Sequence, residues 1–138
     1  MEYIHQAQYY ETDQMGIIHH SNYIRWMEEA RIAYMDEMDF PYKKVEESGV
    51  VSPVLGVTCD YKSMTHFGDK VAIEVKLSAF SGVKYEISYI MRDEKTREVR
   101  AVGTSRHCYL KKDGYPANIK KLLPELYEKM QLALEAGV

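Results

Sequence analysis

The chain reads as an α+β protein, and three features of the sequence carry that reading. One long stretch, from about Ser21 or Asn22 to Met38, is apolar with a helical period. From Val50 onward the apolar period changes to two, the signature of strands. Short turn signals then separate the strands, which makes neighbouring pairs antiparallel.

Taken in order, Tyr3 to Glu11 is rich in tyrosine with Ile4 among polar residues, a composition suited to a half-buried strand. A turn follows, punctuated by Asp13 and Gly16. The long helix has Ser21 or Asn22 as its N-cap, because either side-chain oxygen can accept an unpaired first-turn N–H. Tyr23, Met27, Ala30, Tyr34 and Met38 stack on one stripe, widened by Trp26 and Ala33. Ile24, Ile32 and Met35 lie off that stripe, so the helix is expected at the centre of a wrapping sheet, with Arg25, Glu29 and Asp36 on its open side.

Pro41 ends this helix and opens a short second one through Glu47, which Gly49 terminates. Val50 to Tyr61 is expected as one strand, with Pro53 and Gly56 marking an edge or a bulge. Val71, Ile73, Val75 and Leu77 alternate cleanly with polar partners, and Val83 to Met91 and Val99 to Leu110 supply two more strands. A closing helix runs from about Ile119 to Glu135, with an interruption expected near Pro124. One domain spanning residues 1–138 is the expectation, since 138 residues build one core and not two.

Composition narrows the function. A net charge of −3 argues against phosphate-backbone binding, so no nucleic-acid partner is expected. No stretch approaches the roughly 20 apolar residues of a membrane span. The N-terminal residues lack a basic, apolar leader pattern. Cys59 and Cys108 sit in strand-like patterns without metal or redox spacing, which fits reduced thiols and a cytoplasmic location.

The stretch between the first strand and the long helix concentrates chemistry: Asp13, Gly16 and His19-His20 lie within a few residues. A carboxylate there can serve as general base or as nucleophile. The first-turn amides of the helix carry a positive dipole end that can polarise a carbonyl. Asp-x-x-Gly alone would mark only a turn, with the aspartate capping nearby amides. Adjacent histidines rarely both reach one ion, so no metal site is expected from Asp13, His19, His20 and Glu28.

The full segment, Tyr9-x-x-x-Asp13-x-x-Gly16-Ile17-Ile18-x-His20-x-Asn22-Tyr23 followed by Trp26 and Glu28, resembles the signature of hotdog-fold acyl-CoA thioesterases, the 4-hydroxybenzoyl-CoA thioesterase type with its YbgC-like relatives. Asp69-Lys70-Val71, Ala101-x-Gly103-x-Ser105 and the Gly114-to-Pro116 turn extend the match over nearly the whole chain. The resemblance implies an antiparallel five-stranded sheet wrapped around a long central helix. It also implies homodimers or homotetramers with active sites at the subunit interface.

The same resemblance makes Asp13 the catalytic carboxylate and puts an oxyanion donor on the backbone amide of His20, whose ring is a further functional candidate. Tyr9 matches a tyrosine near the aspartate and is a third catalytic candidate, and Glu28 matches an acidic helix position near the acyl pocket, where substrate contact is expected. Gly16, permissive of close backbone approach, and Tyr23 complete the expected substrate contacts. The implied reaction is hydrolysis of a coenzyme A thioester to a free acid, with the acyl-CoA as substrate and no cofactor. Two other functions share the architecture: a hydroxyacyl-thioester dehydratase, and a non-catalytic acyl-CoA-binding protein.

Overall fold

A computed structural model describes residues 1–138. Strand β1 (Glu2–Gln6) leads through a single 3-10 turn at Tyr9–Glu11 into helix α1 (Ser21–Glu37) and helix α2 (Tyr42–Glu47). Then come β2 (Val50–Val51), β3 (Val54–Tyr61), β4 (Lys70–Phe80), β5 (Lys84–Asp93), β6 (Val99–Cys108) and β7 (Leu110–Lys111). Helices α3 (Ile119–Leu122) and α4 (Pro124–Ala136) close the chain. Five strands form one antiparallel sheet in the order β1-β4-β5-β6-β3, while β2 and β7 form a separate pair. This is the hotdog arrangement that the resemblance implies: an α+β fold in which the sheet curls around α1.

The period-two strands build the concave face. Val71, Ile73, Val75 and Leu77 of β4 are buried, as are Tyr85, Ile87, Tyr89 and Met91 of β5. On β6 the inward positions are Ala101, Gly103, Ser105 and His107, in register with Met91, Tyr89, Ile87 and Tyr85. Small and polar residues there leave room for α1. A Cβ on Gly103 would collide with the Thr58 carbonyl oxygen and with Met27 Cε, so glycine permits the close approach.

Helix α1 answers with Tyr23, Trp26, Met27, Ala30, Tyr34 and Met35, all buried. Burying each large side chain contributes roughly 1.5–3 kcal/mol relative to exposure. Met35, off the sequence-derived stripe, belongs to the same core as Leu126 and Met130 of α4, which widens the buried arc. Arg25, Glu29 and Asp36 are exposed as expected.

Three boundaries differ from the sequence expectation. The first strand stops at Gln6, because the backbone turns into the 3-10 segment and buries Glu11 instead of continuing the ladder. Val50 to Tyr61 splits at Ser52-Pro53 into β2 and β3, and the bulge expected near Gly56 falls between Val54 and Gly56, on an edge strand. Neither Ser21 nor Asn22 caps α1: His20 holds that place with helical φ/ψ and no side-chain bond to the first turn. Asn22 is instead a buried donor, its Nδ2 giving hydrogen bonds to the carbonyls of Glu11 (2.9 Å) and His19 (3.3 Å).

Candidate active site

The loop from Thr12 to His20 is a small hairpin held down at both ends. Thr12 and Ile18 form an antiparallel bridge, and the Asp13 N–H donates to Ile17 O at 2.8 Å. Gly16 turns the chain at φ 77°, a left-handed conformation that favours glycine. Ile18 N–H then donates to Thr65 O at 2.9 Å, which fastens the hairpin to the segment after β3.

Asp13 is half-buried at the head of this hairpin. Its Oδ1 accepts the Met15 N–H at 2.8 Å, so the aspartate caps its own turn. Its Oδ2 accepts no hydrogen bond from the protein and is available to water or substrate. The capping role expected of Asp-x-x-Gly is therefore real, and it orients the carboxylate without using it up.

The start of α1 lines the same cleft as Asp13. The His19 N–H is taken by Glu11 O (2.9 Å) and the Ser21 N–H by His19 Nδ1 (3.2 Å), whereas the His20 N–H has no acceptor in the chain. Helix-terminal N–H groups of this kind carry the positive end of the macrodipole. Tyr61 Oη donates to His20 O at 3.0 Å, tying the end of β3 to the helix start. The His20 ring stacks on His19 at 4.2 Å and meets the Tyr61 ring edge-on at 6.2 Å.

These groups line one cleft of about 350 Å³, with Asp13, His20, Tyr23 and Tyr61 on its walls and Lys62 and Met64 at its margin. Of the residues singled out from the sequence, Asp13, His20 and Tyr23 meet there. Tyr23 is buried and spends its hydroxyl on Thr65 Oγ1 (3.0 Å), so it presents its ring. Gly16 does not line the cleft; it shapes the turn that does. Tyr9 lies outside it, 76% exposed, its ring edge-on to Phe67 at 5.7 Å.

Glu28 lies further along α1, in a second recess of about 180 Å³ between α1 and the sheet. Ile24, Met27, Val54 and Val57 supply its apolar lining, and Arg31, Tyr89, Ser105 and His107 its polar floor. Glu28 makes no ion pair with Arg25 or Arg31. No three His, Cys, Asp or Glu side chains converge in a metal-holding group.

The sequence reading missed Glu11 altogether. Only 4% exposed, its carboxylate accepts from Trp26 Nε1 (2.7 Å) and the Gln8 N–H (2.8 Å) and contacts His5 Nε2 (2.9 Å). Its carbonyl meanwhile holds His19 N–H and Asn22 Nδ2. One residue thus joins β1, the hairpin and α1. Burial raises the Glu11 pKa, but the bonds from His5, Trp26 and Gln8 outweigh it and hold the carboxyl below its ordinary 4.5. The signal was a Trp on the apolar stripe, whose indole N–H needs a buried acceptor.

Comparison with known proteins decides the family. Residues 8–130 match the thioesterase-like superfamily. The chain belongs to that superfamily. Its relatives and structural neighbours carry thioesterase names, and it is a thioester hydrolase. It is 33% identical over 128 residues to the Bacillus subtilis protein named "Putative acyl-CoA thioesterase YneP", covering 90% of this chain and 92% of that one. The crystal structure of DHNA-CoA thioesterase from Staphylococcus aureus superposes with a TM-score of 0.92 at 29% identity, over 98% of this chain and 90% of that one. A hypothetical protein of Aquifex aeolicus superposes at 0.86 and 32% identity, over 94% and 98%.

The polar floor of the second recess gives this thioesterase a pH-dependent stability. Burial, and secondarily the positive charge of Arg31, lowers the His107 pKa from 6.5 to about 4. The unfolded chain therefore takes up a proton that the folded chain refuses between those two values. Stability is full above pH 6.5 and declines as the pH falls to about 4. Allowing for solvent screening, the loss across that window is about 2 kcal/mol. In a thermal melt series, His107→Gln is expected to flatten the fall in Tm between pH 6.5 and 4.5. An unchanged slope in the variant would contradict the assignment.

Proposed function

We propose that the protein is an acyl-CoA thioesterase whose reaction takes place between Asp13 and the start of α1. The observation that carries this reading is the pairing, across one cleft, of a carboxylate oxygen without a protein partner and a helix-terminal N–H without an acceptor. The thioester carbonyl oxygen sits at the His20 N–H, where the amide and the helix dipole stabilise the developing oxyanion. A single such donor is worth about 3–4 kcal/mol in other acyl-transfer sites. Asp13 Oδ2 either takes a proton from water attacking the carbonyl carbon or attacks that carbon itself. In both routes the C–S bond breaks and the thiol leaves; in the first, water supplies the second oxygen of the acid, and in the second, Asp13 supplies it and water restores the Asp13 carboxylate by attacking its carbon in the mixed anhydride. The chemistry calls on no metal or cofactor.

The acyl group extends from the cleft into the recess beside Glu28. Its volume, about 180 Å³, suits a short chain or one ring, since a cavity of roughly 150 Å³ accommodates benzene. Purified enzyme tested on short, medium and aromatic acyl-CoA thioesters is expected to release free thiol. Binding without turnover on all of them would defeat the reading. Water elimination from a 3-hydroxyacyl thioester without hydrolysis would replace it with a dehydratase. Single turnover in labelled water separates the two roles of Asp13, because only direct attack leaves label in its carboxylate.

The active unit is a homo-oligomer. Edge strand β3 exposes Val54 (54%), Leu55 (46%), Val57 (38%) and Tyr61 (47%), beside Ile24 of α1 (44%). An unprotected apolar edge is a template for pairing, and a second β3 is the natural complement. Leu55→Glu places like charges near a two-fold contact and is expected to turn a dimer into monomers in sedimentation equilibrium. A monomeric wild type would contradict the assembly. With Cys59 and Cys108 both as free thiols, the reading is of a cytoplasmic enzyme.

A further inference from the structure

The recess beside Glu28 has an unusual inner end for an acyl pocket. Arg31 is 6% exposed, yet no carboxylate lies within ion-pair distance of it. Its only hydrogen bond goes from one guanidinium nitrogen to the Tyr85 hydroxyl at 3.2 Å, and that hydroxyl is shared with Ser52 Oγ at 2.8 Å. The Tyr42 ring lies 5.5 Å from the guanidinium carbon. A buried cation without a counter-charge is costly, and arginine cannot escape by losing its proton. Its other N–H groups have no partner in the chain and are not sealed in the core, so they open onto the recess that Arg31 lines.

A second polar group stands beside it. Tyr89 Oη and Ser105 Oγ lie 2.7 Å apart, and His107 Nε2 is 2.6 Å from the same Ser105 oxygen. All three residues line the recess with Arg31, and Glu28 and Arg25 are the other charged groups on its wall. His107 is held neutral by burial, so it neither repels Arg31 nor supplies the missing negative charge. With His107 in its Nε2–H tautomer this network leaves one hydroxyl proton free, and a hydroxyl donor next to an unpaired guanidinium forms a site for an anion with two acceptor oxygens.

Resting on the proposed thioesterase reaction, we propose that the preferred acyl group ends in a carboxylate, which Arg31 binds at the inner end of the recess. The geometry suits a chain of moderate length. His20 and Arg31 are about 16 Å apart along the helix axis. The Arg31 side chain leans back toward the N-terminus and shortens the span. The thioester carbonyl at His20 and the distal carboxylate at Arg31 then hold the substrate at both ends.

The test compares wild-type kcat/KM on succinyl-, glutaryl- and adipoyl-coenzyme A with that on butyryl-, pentanoyl- and hexanoyl-coenzyme A. The best carboxylated member is expected to exceed its neutral counterpart by about tenfold or more, chiefly through KM. In Arg31→Met the preference collapses or reverses while neutral thioesters are still hydrolysed, and Arg31→Lys retains part of it. The wild-type ratio stands even if Arg31→Met fails to fold. Hydrolysis of both series with no preference, or with the neutral series favoured, overturns the carboxylate assignment and leaves the thioesterase reading intact. Absence of turnover on either series overturns both.

Discussion

Asp13→Asn is expected to lower kcat for acyl-CoA hydrolysis by roughly a thousandfold or more, with substrate affinity largely kept. The amide is isosteric, so its oxygen can still accept the Met15 N–H that Oδ1 accepts at 2.8 Å, and the turn survives. What disappears is the negative, basic oxygen facing the cleft. An interaction made only in the transition state lowers kcat and kcat/KM together and leaves binding alone. Steady-state kinetics with calorimetric acyl-CoA binding measures both. Equal turnover by the variant and the wild type would remove Asp13 from the mechanism.

Glu11→Ala is the second large effect, and it acts on the frame that holds the chemistry. Trp26 Nε1 at 2.7 Å and the Gln8 N–H at 2.8 Å lose their acceptor in a largely buried place. Each stranded donor costs about 1–3 kcal/mol, so the fold loses about 3–5 kcal/mol and Tm falls by roughly 10 °C or more. Because the Glu11 backbone also holds the His19 N–H, kcat falls as well, through a loosened helix start. Glu11→Gln keeps one acceptor oxygen and is expected to fall between wild type and alanine. The bond network also predicts the pH response. With its folded pKa below 4.5, Glu11 contributes stability that is full above that value and is lost as pH falls through the folded pKa. Glu11→Ala should lack this acid limb. A Tm within a degree or two of wild type would contradict the network's role.

The strands and the long helix were legible because burial on one face writes a period into the residues. Val71 to Leu77 alternate in sequence and in the structure, and Tyr23 to Tyr34 repeat at helical spacing on the buried side of α1. The turn chemistry was legible too, in Asp13 and Gly16. What escaped depends on partners distant in the chain. Tyr9 to Glu11 has strand composition, but Glu11 finds Trp26 fifteen positions on, and that bond turns the backbone away from the sheet. Arg31 sits among apolar neighbours on α1, where a charge reads as solvated, yet its partner Tyr85 lies two strands away from the edge of the sheet. The inward order of Ser105 and His107 was hidden because both faces of β6 carry apolar residues; the pairing of Ser105 with Ile87 fixes it.

The central claim is that a thioester carbonyl is held between Asp13 and the His20 amide. A crystal structure of Asp13→Asn with a non-hydrolysable acyl-CoA analogue, its thioester sulfur set one methylene away from the carbonyl, tests it most directly. The carbonyl oxygen is expected within hydrogen-bond distance of the His20 nitrogen, residue 13 on the opposite side of the carbonyl carbon, and the acyl tail beside Glu28. An analogue seated with its carbonyl away from His20 and its carbon out of reach of residue 13 would contradict the account.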